Sequence, residues 1–157
     1  MKILYTYKTE EEKVEMEKNL AGHEVTFHKG SLQDGQWDGE GIECLCVFVT
    51  SHVGKDEMEK CPALKLIATR STGYDHIDTA VAKERGISVA TVPFYGENTV
   101  AEFAFALLLT ISRKVSASIA RTKSGSFSSE GLDGFDLKGK TIGVIGTGSI
   151  GKNVIQI

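Results

Sequence analysis

Thr141-Ile142-Gly143-Val144-Ile145-Gly146-Thr147-Gly148-Ser149-Ile150-Gly151 joins a buried-strand pattern to a G-x-G-x-x-G loop. Three glycines at this spacing carry weight only in context, with an apolar strand in front and a helix start behind. The sequence offers both. Gly146 permits the tight turn, Gly148 lets a pyrophosphate approach the backbone, and Gly151 lets the helix pack close to the strand. Free N–H groups at the helix start then face the phosphate charge. The fingerprint also expects an acidic residue about 20 positions on, to hold the ribose hydroxyls. The sequence given ends at Ile157, before that position, so NAD and NADP are not separated.

Outward from the loop, Val100 to Val115 is apolar nearly all round, with Phe103, Phe105, Leu107, Leu108, Leu109 and Ile111. A helix of that kind needs cover on most of its surface. Residues 122–136 are rich in Ser and Gly and read as a connection. Further back the signals alternate. Residues 2–7 read as a strand, and Thr9 with Glu12 forms a capping box for a helix over 10–21. Residues 25–27 form a second strand, followed by a glycine-rich loop over 30–41. Cys44 to Val49 is apolar on both faces, as a strand covered on both sides of a sheet must be. A short helix over 55–60, a strand over 64–68, a helix capped by Asp78 and a strand over 87–89 complete the series. This order predicts an α/β fold: a mainly parallel sheet with helices on both faces.

The 157 residues are enough for one domain, or one and part of another. A net charge of −3 with a pI near 5.8 argues against nucleic acid as a partner. The longest apolar run, Phe103–Leu109, is far short of a membrane span. Three cysteines suit a reducing compartment better than a disulfide framework. The expectation is therefore a cytoplasmic protein with no membrane partner. Cys44 and Cys46 share a strand face and read as core cysteines rather than metal ligands, and no metal site is expected. Arg113, Lys114, Arg121 and Lys123 read as a solvated basic face near a helix end.

Three segments resemble the D-2-hydroxyacid dehydrogenases, nearest to their D-lactate dehydrogenase branch. Arg70-Ser71-Thr72-Gly73-Tyr74-Asp75-His76-Ile77-Asp78 is similar to the motif closing the fourth strand of their substrate domain. Pro93 to Glu102 is similar to their interdomain crossing. Leu137 to Thr141, with the glycine loop, is similar to the start of their cofactor domain. The resemblance implies a flavodoxin-like parallel-sheet substrate domain over 1–98. Residues 99–157 would then supply the first helix, strand and glycine loop of a Rossmann NAD-binding domain.

The resemblance also implies roles. The backbone N–H groups of Thr72 and Gly73 would bind the substrate carboxylate, and Tyr95 would line the cleft. Val100 would pack on the nicotinamide, while Ser149 and Ile150 would meet the pyrophosphate through their backbone. Many relatives have Arg or His where this chain has Ser149, which removes one side chain from the phosphate site. The implied partners are a small 2-keto or 2-hydroxy acid and a second copy in a homodimer, with NAD as cofactor and NADP left open.

The family's Arg, His and Glu that carry the chemistry lie later in relatives, so no catalytic residue is assigned here. His23, His28, His52 and His76 all precede the crossing. The expectation is the N-terminal portion of a longer NAD-dependent oxidoreductase, inactive as 157 residues alone. Glyoxylate, hydroxypyruvate or phosphoglycerate are alternative substrates. A non-enzymatic nucleotide- or partner-binding module of the same fold is the reading from another class.

Overall fold

Ile3, Leu4 and Tyr5 are consecutive and all buried, so both faces of the first strand are covered. That pattern belongs to the interior of a parallel sheet, and the computed structural model, which describes all 157 residues, places it there. Strands β1 (Lys2–Tyr7), β2 (Glu24–Lys29), β3 (Cys44–Val47), β4 (Leu66–Thr69) and β5 (Ser88–Ala90) are all parallel, in the order β2-β1-β3-β4-β5. This is the flavodoxin-like order, and the α/β expectation holds.

The register aligns Leu4 with Leu45, Leu45 with Ile67 and Ile67 with Val89, which makes one apolar row across the sheet. Val47, Val53, Met58 and Ile77 pack into the same core. Fully burying a side chain of this size contributes roughly 1.5–3 kcal/mol.

The crossovers carry α1 (Glu10–Asn19), α2 (Lys55–Glu59) and α3 (Thr79–Glu84). Asp78 caps α3 by accepting from the amides of Ala80 and Val81, both at 3.1 Å. Only half of the box expected at α1 forms. Thr9 accepts from the Glu12 amide at 3.3 Å, but the Glu12 carboxylate takes the Lys8 amide and the Tyr5 hydroxyl instead of turning back to Thr9. The same carboxylate also pairs with the Arg70 guanidinium.

The chain divides into two compact units, Met1–Phe94 and Tyr95–Ile157. The second holds α4 (Glu97–Ser112), α5 (Val115–Lys123) and α6 (Ser149–Gln156). Three readings change there. The apolar helix starts three residues earlier than expected, at Glu97, and ends three residues earlier, at Ser112, where the left-handed Lys114 (φ 50°) breaks it. Part of the expected connection is helical, as α5. Finally, 141–145 forms no strand: it pairs with nothing, and Ile142 and Ile145 are exposed. A strand is defined by neighbours that take its N–H and C=O groups, and this unit offers none.

The basic cluster is also more than a solvated face. Arg121 donates to the carbonyls of Ser128 and Glu130 at 2.8 and 2.6 Å, Lys114 to that of Gly131 at 3.2 Å, and Arg113 to Asp136 at 2.7 Å. These contacts tie the Ser/Gly-rich connection down. Gly134 lies so close to the Ser112 carbonyl that a side chain would collide with it. No single helix is long and apolar enough to cross a membrane.

Candidate functional site

In an open parallel sheet, ligands bind outside the carboxyl ends of the strands, where the strand order reverses. Here that point lies between β1 and β3. A cavity of about 480 Å³ opens there, lined among others by Tyr7, Glu12, Ser31, Phe48, Thr50 and Arg70. Arg70 follows β4 and leads straight into the Ser71–Gly73 turn. Its guanidinium sits 4.7 Å from the Tyr5 ring centre and 5.6 Å from that of Phe48. It pairs with Glu12 and donates to the Thr6 carbonyl at 2.7 Å. Burial of this cation pulls its pKa down, opposed by Tyr5.

Thr72 and Gly73 sit together on the exposed turn after β4, and neither amide has an acceptor within the chain. The turn is nevertheless held. The Thr72 hydroxyl donates to the Val92 carbonyl at 2.8 Å, and the Val92 amide donates to the Ser71 carbonyl at 3.0 Å. A Cβ added at Gly73 meets no atom within 4 Å, so the space above the turn is open. Two free, fixed N–H groups beside open space suit an anion such as a carboxylate.

Beneath the turn lies a polar cluster. Thr69 and Ser71, both buried, join through their hydroxyls at 2.7 Å. Thr69 meets His76 Nε2 at 3.0 Å, and Ser71 donates to the Gly73 carbonyl at 2.7 Å. Burial lowers the His76 pKa most, Asp75 opposes that, and His52 adds to it. The sequence alone assigned no role to Thr69, Arg70, Ser71 or His76. The available signal was their flanking of the Thr72–Gly73 pair.

The second unit holds the remaining candidates. Tyr95, 63% exposed, directly precedes the turn into α4, and Val100 lies exposed on the first turns of α4. Gly146, Gly148, Ser149, Ile150 and Gly151 come together at the start of α6. Gly146 has φ +94°, a conformation that L side chains rarely adopt. Gly148 is the N-cap of α6, and a Cβ there meets nothing within 4 Å. Gly151 is the opposite case: its Cβ would run into the Gly146 carbonyl and then meet Val144. Lys152 makes the first intrahelical bond, to the Gly148 carbonyl at 2.9 Å, so the amides of Ser149 and Ile150 stay free. A tight turn, an open approach and a row of free donors fit the pyrophosphate of a dinucleotide.

Cys44 is buried and Cys46 half-buried on β3. Burial raises both thiols, Cys46 to about 12, which keeps it protonated at neutral pH.

The family model for the D-isomer specific 2-hydroxyacid dehydrogenase catalytic domain matches residues 3–135, and the chain belongs to that family. It is 41% identical over 120 residues to a 2-hydroxyacid dehydrogenase homolog of Haemophilus influenzae, covering 75% of this chain and 36% of that protein. It is 40% identical over 119 residues to the D-lactate dehydrogenase of Escherichia coli, covering 74% of this chain and 36% of that one. The crystal structure of D-lactate dehydrogenase from Aquifex aeolicus, complexed with NAD and lactic acid, superposes with a TM-score of 0.90 at 32% identity. That match covers 98% of this chain and 47% of the other. The chain thus spans about a third to a half of the length of these relatives.

Proposed function

We propose that this chain is the N-terminal portion of an NAD-dependent oxidoreductase that passes a hydride between NADH and a 2-oxo acid, of the D-lactate/pyruvate type. The observation that carries the reading is the pair of free amides at Thr72 and Gly73, in a family whose members act on 2-hydroxy acids. Residues 1–98 form the substrate domain, and 99–157 open the cofactor domain. Thr72 and Gly73 bind the carboxylate through backbone N–H groups, with Tyr95 lining the cleft. Gly146, Gly148 and Gly151 shape the phosphate loop, Ser149 and Ile150 donate to the pyrophosphate, and Val100 packs on the nicotinamide. The later cofactor domain supplies an Arg that clamps the substrate carboxylate and a His, paired with a Glu, that transfers the proton, as the family uses them. The protein is cytoplasmic and works as a homodimer.

The test is kinetic, on the full-length protein that carries this segment. NADH oxidation is followed with pyruvate, glyoxylate, hydroxypyruvate and larger 2-oxo acids, and NAD reduction with D- and L-lactate. Pyruvate-dependent turnover with selectivity for D-lactate is expected, and the 157-residue chain alone should show none. NADH binding without turnover of any 2-oxo acid would replace the enzyme by a binding module.

A further inference from the structure

The orientation of the Thr72–Gly73 amides can be traced to side chains that never reach the open surface of the turn. Ser71 has one hydroxyl proton, and it is spent on the Gly73 carbonyl at 2.7 Å. In the 2.7 Å contact between Ser71 and Thr69, Thr69 must therefore be the donor. That commits the only proton of Thr69. In the 3.0 Å contact between Thr69 and His76, the proton then comes from His76 Nε2. Counting protons thus sets one direction for the chain of bonds: His76 Nε2–H to Thr69, Thr69 to Ser71, and Ser71 to the carbonyl of Gly73. It also fixes the neutral tautomer of His76 with hydrogen on Nε2.

The backbone consequence follows from peptide planarity. In a trans peptide the C=O and the next N–H point in opposite directions. The Ser71 carbonyl accepts from the Val92 amide at 3.0 Å, which turns the Thr72 N–H away from Val92. The Gly73 carbonyl is drawn down onto Ser71, which turns the Tyr74 N–H outward. The peptide plane before Thr72 is locked by backbone and the one after Gly73 by the relay, so the Thr72–Gly73 plane that carries the Gly73 N–H is bracketed by two fixed planes. Gly73 on its own would resist rotation least of all residues. His76 is in turn held by backbone: its carbonyl accepts from the Val53 amide at 2.8 Å, and Asp78 N–H donates to the Val53 carbonyl at 3.0 Å. The relay therefore runs from a fixed anchor to the one flexible residue of the turn.

We infer that His76, Thr69 and Ser71 are positioning residues that hold the Thr72–Gly73 donors in register with the substrate carboxylate without touching it. This rests on the carboxylate reading of that turn. It adds a specific dependence: 2-oxo acid affinity is set by hydroxyl and imidazole protons beneath the turn.

The experiment compares Ser71→Ala, His76→Leu, His76→Gln and Gly73→Ala in the full-length protein, with separate kcat and KM values for pyruvate and for NADH. Ser71→Ala and His76→Leu are expected to raise the pyruvate KM by about tenfold, the scale of one lost hydrogen bond in a site. The NADH KM and kcat should stay within about twofold. His76→Gln keeps an N–H donor and is expected to restore most of the affinity that His76→Leu loses. Gly73→Ala tests the underlying reading on its own. If it raises the pyruvate KM while Ser71→Ala and His76→Leu do not, the relay is wrong and the carboxylate site stands. If it leaves the pyruvate KM unchanged, the carboxylate site falls and the inference with it. Should the Ser71 and His76 variants fail to fold, imidazole ¹⁵N spectra of the unmodified protein decide the matter. A neutral His76 with its proton on Nε2 supports the relay, and one with the proton on Nδ1 overturns it.

Discussion

Gly148 and Gly151 stand three positions apart and respond to the same methyl group in opposite ways. At Gly148 an added Cβ meets no protein atom, so Gly148→Ala should fold normally and exclude only what approaches from outside. Cofactor affinity is expected to fall by about tenfold or more, with the melting temperature nearly unchanged. Titration of NADH fluorescence beside a thermal melt measures both. At Gly151 the Cβ strikes the Gly146 carbonyl, so Gly151→Ala should push α6 off its loop and lower protection of the 149–156 amides even without cofactor. Equal behaviour of the two variants would remove the distinction between phosphate approach and helix packing. His76 allows a second prediction. Its folded pKa is held below the ordinary imidazole value, by burial first. As pH falls, the unfolded chain therefore takes up this proton first, near pH 6.5. The stability owed to His76 is complete above that pH and is lost as pH drops through the folded value. Glu43, held low first by Lys65 and then by the Lys2 amide, loses its contribution in a more acidic window, below about pH 4.5. Thermal melts between about pH 5 and 7 should thus be flatter for His76→Gln than for the unmodified protein.

Among the elements, α4 is the one whose surroundings are uneven. Phe105 and Leu108, both half-buried, line cavities with Ile142, Val154 and Leu137, so one face is partly covered within its own unit. Val100, Phe103, Leu107 and Ile111 recur at helical spacing on another face and are all exposed, Phe103 by 63% and Ile111 by 70%. An apolar stripe of that length marks an interface. For the homodimer proposed above, Phe103→Lys with Ile111→Lys is expected to shift the mass from dimer to monomer in multi-angle light scattering, with the β1–β5 unit intact by circular dichroism. An unchanged mass would place the interface elsewhere. This unevenness was partly legible: the all-round apolar pattern of 100–115 showed that the helix needs cover, but not which side receives it. Cys44 to Val49 declared itself as sheet interior because burial on both faces leaves a continuous apolar run, whereas residues 2–7 read only as a strand. The hidden element was α5, where serines and basic residues blur the pattern and the break falls on Lys114 rather than on Gly or Pro. The sites divide the same way. Thr72–Gly73 and the glycine loop are contiguous motifs and can be read as such. Arg70 finds the Thr6 carbonyl 64 residues away, and a contact of that range leaves no mark on a local pattern.

For the whole molecule, the sharpest contrast is between two apolar strand patterns that are equal in sequence and unequal in pairing. Leu66–Thr69 lies between β3 and β5, with ladders on both sides, and Ile67 is fully buried. Its amides open only when the sheet of the Met1–Phe94 unit opens, so their exchange should report that unit's global stability. Residues 141–145 have the same composition type but no ladder, and Ile145 is fully exposed. Their amides have no acceptor within the chain and should exchange at close to free rates. Hydrogen exchange on the 157-residue chain should therefore protect 66–69 by several orders of magnitude more than 141–145, because an opening free energy of about 5 kcal/mol already slows exchange by more than a thousandfold. Dilution gives the control: protection of 141–145 that appears only at high concentration would mean that a second copy supplies the missing strand neighbours. Strong protection of 141–145 in a dilute monomer would contradict the unpaired state of that segment. It would also make the glycine loop behind it more rigid than a strand without partners allows.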